Sequence, residues 1–425
     1  MKINPQINVN EILYVGIDVS KDSNQVCILN FNQDKLASFS SPNNNDGAIV
    51  IEEKILSLIK KHSFKKVIIV LESTGIYSFH ISYYLSSNET LVSSNTEVFV
   101  VNPKSTANYS KVLNQFQKTD PNDAYALADF ARAGHTKKMK PFNGSQRLAL
   151  QRLTRHRKHV VSLLVKEKEY VLTNIFLKFS DYNNGIHDCK SFSNMFSSTS
   201  KEVLLKYDSP EKIAKTKLDK LVDTIVKFGK NRFSNPTEVA NKLQKAARSS
   251  YRLDKTMYEP LNAAISSSLS LISCFENEIS EIDKSIEKLV KGLDSTQYQS
   301  LLSIPGVGPV FAAGIFSEIG DINMFDSDNA LAKFVGLIWY KHDSGQFASE
   351  DNKLTKAGNT YLRYYIVEAT SSVINHNPSY NDFYNKKYNE VTKHQHSRAT
   401  VLTARKFVRL IYSLMSGNKL YSKDK

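Results

Sequence analysis

Two mostly apolar runs, EILYVGID and NQVCILN, fall around residues 12–30 and are separated by the turn-like VSKDS, which predicts a pair of strands. A third short strand, KLASFS, follows, and then an amphipathic helix from about Asp46 to Lys61. The run KKVIIVLES carries five consecutive apolar residues and ends in a carboxylate, the pattern of a buried strand. Another helix, the strand TEVFVVN and helical sequence from about Asp120 to Gly134 come next. Three strands followed by alternating helices and strands predict an α/β domain with a mixed sheet.

After Pro141 the strand signals fade. A long basic helix is predicted over about 145–178, and the polar stretch from about Asp181 to Arg252 carries no assignable role. A second long helix places Leu261, Ile265, Leu269, Ile272, Phe275, Ile279, Ile282, Ile286, Leu289 and Leu293 at alternating spacings of three and four, the seam of a coiled coil or helical hairpin. Packing within one chain and dimerisation both satisfy that seam. From Leu301 to about Lys419 lies a mostly helical unit broken by a Gly- and Ser-containing loop near residue 345. The boundaries read as 10–140, 141–297 and 298–420.

A length of 425 residues, with 41% hydrophobic and 23% charged residues, fits a folded protein of two or three domains. No apolar run approaches the roughly 20 residues that cross a bilayer. The start lacks an apolar signal segment. Cys27, Cys189 and Cys274 form neither a disulfide framework nor a zinc spacing. These features predict a reduced, cytoplasmic protein with no membrane partner. The net charge of +14 favours polyanions, because each neutralised phosphate releases counterions. Ten basic residues stand between His135 and Tyr170, among them Arg147, Arg152, Arg155, Arg157 and Lys158, against only Glu167 and Glu169. That imbalance points this helix towards nucleic acid.

Four carboxylates carry the candidate chemistry. Asp18 and Glu72 each end a strand, where open α/β sheets place ligand sites. Asp120 and Asp123 open a helix and, three apart, share a face. Each has a plain structural role available: a turn for Asp18, a helix cap for Glu72, and an N-cap before Pro121 for Asp120. Together, four converging carboxylates would repel unless cations lay between them. Oxygen-only ligands suit Mg²⁺ or Mn²⁺, and two such ions can clamp both oxygens of a phosphodiester exchange.

YVGIDVSK, VLESTG and KTDPNDAYALADF resemble the Asp-Glu-Asp-Asp signature of a RuvC-like domain, in the form found in bacterial insertion-sequence transposases related to the Piv invertases. The resemblance covers about residues 12–135. It implies a ribonuclease-H-like fold with metal ligands at Asp18, Glu72, Asp120 and Asp123.

The sequence SIPGVGPVFAAGIFSEIGDINMF reads as helix, tight turn and helix. Gly306 and Gly308 would let a phosphate approach the turn, and the next helix would present its positive end. Further on, Ser344 sits beside Gly345 in a polar loop, with Lys356 and Arg363 available to neutralise phosphate. Tyr361, Tyr364 and Tyr365 are rival nucleophiles, and His342 is a candidate base. The blocks IPGVGPVFAAGIFSEIGD, FVGL, DSG and KAGNTYLR resemble the C-terminal domain of the same transposases, whose serine in the Ser-Gly position attacks DNA. Carried over, the phosphoserine linkage falls on Ser344. This chain has IWYKHD after FVGL where many members have a proline-containing block.

The resemblance implies α/β plus mostly α architecture: a RuvC-like domain, a helical coiled-coil linker, and a C-terminal helical domain with a helix-hairpin-helix-like motif. It further implies recombination of double-stranded DNA by a homo-oligomer (dimer or tetramer), in some relatives guided by an element-encoded bridge RNA, with the carboxylates of one subunit aiding Ser344 of another. A RuvC-like junction endonuclease would need no serine. An actin-like ATPase or sugar kinase would need a second phosphate loop and a glycine-rich adenosine site, which the sequence lacks. An element remnant that only binds nucleic acid is at odds with the intact carboxylate set.

Overall fold

The structure is a computed structural model that describes residues 7–73, 75–113, 120–137, 139–142, 146–184, 190–293, 295–339, 343–344, 347–348 and 354–422. Its contacts divide the chain into two units: residues 1–149, 295–307 and 315–425 form one, and residues 150–294 with 308–314 the other.

The first unit begins with strands β1 (Ile12–Val19), β2 (Ser23–Leu29) and β3 (Lys35–Pro42), helix α1 (Asn45–His62), strand β4 (Lys66–Glu72), helices α2 (Ser78–Ser87) and α3 (Glu89–Ser93), strand β5 (Thr96–Val101), and helices α4 (Pro103–Leu113) and α5 (Asp120–Arg132). The five strands form one sheet in the order β3-β2-β1-β4-β5. The β1–β2 and β2–β3 pairs are antiparallel, and the β1–β4 and β4–β5 pairs parallel. This is the mixed sheet that the apolar runs predict, and an α/β domain of ribonuclease-H-like type.

Alternation along the strands sorts side chains onto two faces. Leu13, Val15, Ile17, Val67, Ile69 and Leu71 pack with Ile51, Ile55 and Leu58 of α1 and with Ile81, Leu85 and Leu91. The other face presents Tyr14, Val70 and Phe99 to Ala124, Leu127, Ala128 and Ala131 of α5. Small residues bring α5 close to the sheet. A Cβ on Gly16 would stand 2.1 Å from the Ala124 carbonyl oxygen and 2.3 Å from the Ala128 nitrogen.

The second unit is built on α6 (Gln146–Lys178), followed by α7 (Ser198–Lys206), α8 (Pro210–Lys215), α9 (Leu218–Gly229), α10 (Pro236–Ser249) and α11 (Lys255–Lys291). The long helices α6 and α11 run antiparallel, as their ion pairs show. Arg157 donates through Nε and Nη2, one edge of its guanidinium, to the two carboxylate oxygens of Asp283, while Lys168, eleven residues further along α6, meets Glu276, seven residues earlier on α11, at 2.8 Å. The polar stretch without an assigned role is a folded body. Phe192, Val203, Leu204, Leu221, Ile225, Ala240, Leu243 and Ala247 form a core with Val171 and Ile175 of α6 and with Ile265, Leu269 and Ile272 of α11. Those last three seam positions are therefore covered within the chain. Phe275, Ile279 and Leu289 are only half-buried, Val290 is buried instead, and Leu293 lies past the helix end. Inside this body Lys178 is buried with its ammonium donating to the Leu204 carbonyl at 2.7 Å, and burial pulls its pKa down to about 8.

The C-terminal elements are α12 (Thr296–Leu302), α13 (Pro309–Ile319), α14 (Asp328–Val335), the two-residue strands β6 (Asp343–Ser344) and β7 (Phe347–Ala348), and helices α15 (Thr360–His376), α16 (Pro378–Asn389) and α17 (Gln395–Gly417). Among the described residues, no helix is long and apolar enough to cross a membrane.

Candidate active site

Strand register places the first two carboxylates. Ile17 of β1 pairs with Leu71 of parallel β4, so Asp18 and Glu72 follow side by side at the C-terminal edge, on strands about 4.8 Å apart. Both continue the face of Gly16 and Val70, which is the face that α5 covers. Asp123, half-buried, directly precedes Ala124, the residue whose carbonyl lies over Gly16. Asp120 begins the same helix one turn earlier; its side chain is outside the described residues. Asp18 and Glu72 thus share one sheet edge on the face that α5 covers, and Asp123 stands in the first turn of that helix.

Glu72 is held from a neighbour that sequence reasoning missed. Buried Thr106, in the first turns of α4, donates its hydroxyl to Glu72 Oε2 at 2.8 Å. Its hydroxyl also lies 2.9 Å from the Pro103 carbonyl. Further along α4, Tyr109 donates to buried Asp129 of α5 at 2.6 Å, and Arg132 Nε donates to the other oxygen of Asp129 at 2.6 Å. Burial and the Asp129 carboxylate push the Tyr109 hydroxyl well above its ordinary pKa, so it stays a donor. This network locks α4, which aims Thr106, to α5, which carries Asp123. The only signal in the sequence was a threonine just after a strand, a common residue in a common place.

The oxygen-only donor chemistry fits a hard divalent cation. Among the described residues, no three His, Cys, Asp or Glu side chains are gathered closely enough to hold one.

Ser344 is the last paired residue of an antiparallel arm. Trp339 pairs with Leu354 at its base, then Asp343 with Ala348, and Ser344 with Phe347 across a two-residue tip. Its side chain, like His342 and Gly345, lies outside the described residues. Of the rival tyrosines, Tyr365 is fully buried, while Tyr361 and Tyr364 are half-buried. A sealed hydroxyl cannot meet a DNA phosphate, so Tyr365 is a core residue.

Several predicted nucleic-acid contacts are committed within the fold. Gly306 does need glycine, at φ +93°, but its close approach is to protein: a Cβ there would stand 2.8 Å from the Ser372 carbonyl oxygen. Gly308 faces open space. Arg363 donates to the carbonyls of Val335 and Lys356 at 3.0 and 2.8 Å, closing the end of α14. Arg147 lies against Gly320 at the C-terminal end of α13, within reach of the Ser317 carbonyl and in the field of Glu318 and Asp321. A cation at a helix C-terminus has a structural role there. Arg157 is taken by Asp283. Arg155 and Lys158 are half-buried, whereas Arg152 and Lys356 are exposed. The basic helix is thus less free than its sequence implies, because Asp283 and Glu276 answer it from more than a hundred residues away.

With this geometry in view, the comparisons with known proteins are specific. Residues 15–176 match the DEDD transposase family of IS110, described as "Transposase", and residues 298–385 match "Transposase IS116/IS110/IS902 family". Together they span more than half the chain, one on the carboxylate edge and one on the Ser344 arm. The chain belongs to the IS110/IS116/IS902 family of transposases.

Among its relatives is the transposase for insertion sequence element IS1111A of Coxiella burnetii, 25% identical over 48% of this chain and 58% of the relative. The insertion element IS116 uncharacterized 44.8 kDa protein of Streptomyces clavuligerus is 22% identical over 72% of this chain and 73% of its own length. The pilin gene-inverting protein of Moraxella lacunata is 27% identical over 36% of this chain and 45% of the relative. The chain thus spans about half the length of two of these three.

Proposed function

We propose that this protein is a DNA recombinase that moves an insertion element, with the carboxylate edge as its metal centre and Ser344 as its nucleophile. The observation that carries this reading is the pairing of β1 with β4, which sets Asp18 and Glu72 side by side on the sheet face covered by α5, the helix that carries Asp120 and Asp123. Family membership and a relative named for inverting a pilin gene support the reaction class.

Asp18, Glu72, Asp120 and Asp123 would hold Mg²⁺ or Mn²⁺, which supplies charge neutralisation at the phosphate when bound. Thr106 would fix the Glu72 carboxylate through its Oε2. The Ser344 hydroxyl would attack a DNA phosphorus. One phosphorus–oxygen bond forms, the bond to the leaving sugar oxygen breaks, and the serine proton ends on that oxygen. A phosphodiester is exchanged for a phosphodiester, so the reverse step rejoins strands without an external energy source. The carboxylates of one subunit would serve Ser344 of another in a homo-oligomer.

Element-encoded bridge RNA is the further partner in this reading, supported by the net charge of +14 and by exposed Arg152 on α6. RNA pairing would select the DNA and the protein would hold backbone. The test is cleavage of donor DNA by purified protein with Mg²⁺, with and without co-expressed flanking RNA. Products that require the RNA are expected; equal cleavage without it removes the guide from the account.

Thr106→Val tests how the edge is held. Removing the hydroxyl leaves Glu72 without its fixed partner, and a lost partner behind a metal-binding carboxylate typically costs ~10–100-fold in affinity. Mn²⁺ titration should show that weakening with the circular dichroism unchanged.

A further inference from the structure

The helical body between α6 and α11 carries a feature outside the recombination chemistry. Residues 190–252 contain fourteen Lys and Arg against six Asp and Glu, more than half of the chain's net charge. Its carboxylates are partly spent, with Asp208 on Lys212, Glu211 on Arg252 and Glu238 on Lys242. A cavity of about 570 Å³ opens in this body. That lies within the roughly 300–1,000 Å³ of small-ligand sites.

Two half-buried rings, Phe228 and Phe233, line the cavity, and exposed Lys227, Lys230 and Arg232 surround it. Gly229 lets the Phe233 ring in, since a Cβ there would meet that ring at 2.5 Å. Lys227 and Lys230 sit at the C-terminal end of α9, a position that suits cations in any helix. Arg232 lies beyond the helix, and none of the three has an ion pair among the described residues. The facing wall is the first turn of α7, with Ser198 and Thr199, so its amide groups add positive potential. Glu202 is the single acidic side chain in the lining.

Aromatic rings beside unpaired cations are what an unstacked nucleotide requires: a π-surface for the base and positive charge for the flanking phosphates. A duplex, whose bases are stacked inward, has nothing to insert. We propose that this cavity binds single-stranded polynucleotide, with a base against Phe228 and Phe233 and phosphates on Lys227, Lys230 and Arg232. The site is additional to the recombinase reading and does not rest on it.

The test uses the full chain and fluorescence anisotropy with three probes: a uridine-rich RNA, a thymidine-rich DNA strand and a blunt DNA duplex. Combined Lys227→Glu, Lys230→Glu and Arg232→Glu should lower single-strand affinity by at least tenfold and reduce the salt slope by about 2, at ~0.7 per phosphate. Phe233→Ala should lower it by roughly tenfold at unchanged slope. Lys230→Gln with Arg232→Gln, both at exposed positions, gives the same direction should the stronger variants not fold. Duplex binding should stay within twofold throughout. Loss on RNA alone, on DNA alone or on both identifies the strand held and supports the site. Unchanged single-strand binding in the charge variants, or an equal loss on the duplex, overturns it.

Discussion

Asp18→Asn is expected to lower strand cleavage by roughly 10³-fold while leaving the fold intact. Asp18 is half-buried at the end of β1, beside Glu72 and on the α5 face of the sheet. Asparagine has nearly the same shape, so β1 and its pairing with Gln25 should survive. What is lost is one negative ligand. A bound divalent cation supplies several kcal/mol of charge stabilisation to a phosphodiester transition state, and about 4 kcal/mol corresponds to that factor. Without metal, the near-isosteric side chain should keep the melting temperature close to that of the wild type. With metal, the wild-type protein should gain stability by mass action and the variant should not. Thermal melts with and without Mg²⁺ read this without any DNA. An Asp18→Asn variant that still gains stability from Mg²⁺ as the wild type does would remove Asp18 from the metal centre.

Gly16→Ala is expected to be the more damaging change to the fold. The added methyl would lie 2.1 Å from one backbone atom of α5 and 2.3 Å from another, and neither can rotate away. Overpacking of this kind costs about 1–3 kcal/mol or more, or roughly 2–12 °C in a unit of this size. The only relief is for α5 to move off the sheet, which carries Asp120 and Asp123 with it. Cleavage should therefore fall at least tenfold even at temperatures where the variant stays folded. Gly308→Ala is the matching control, since a Cβ there meets nothing within 4 Å. A Gly16→Ala protein that melts like the wild type would show that the contact between β1 and α5 is looser than described.

The parts of this protein that its sequence makes legible are those fixed by local pattern. The apolar runs ending at Asp18 and Glu72 mark strand ends because a buried strand needs continuous apolar residues, and Pro121 marks the start of α5. What depends on distant residues is not legible locally. Thr106 gains its role only because β4 and β5 are neighbours, which brings Glu72 to a helix thirty-four residues later. Arg157 and Lys168 look like a nucleic-acid face until Asp283 and Glu276 fold onto them. Gly306 is required, as the turn predicts, yet for the Ser372 carbonyl and not for phosphate. The body between α6 and α11 looks structureless because its helices are short and polar. Its core borrows Val171, Ile175, Ile265 and Leu269 from the long helices on either side.

The most direct test of the central claim is the covalent species itself. Purified protein, Mg²⁺, donor DNA and flanking RNA would be resolved under denaturing conditions, for the wild type and for Ser344→Ala. The account predicts a protein–DNA adduct in the wild type that is absent in Ser344→Ala, with strand rejoining lost alongside it. Cleavage that persists in Ser344→Ala with no adduct in either protein would contradict it, and would make the carboxylate edge a nuclease that works without the serine.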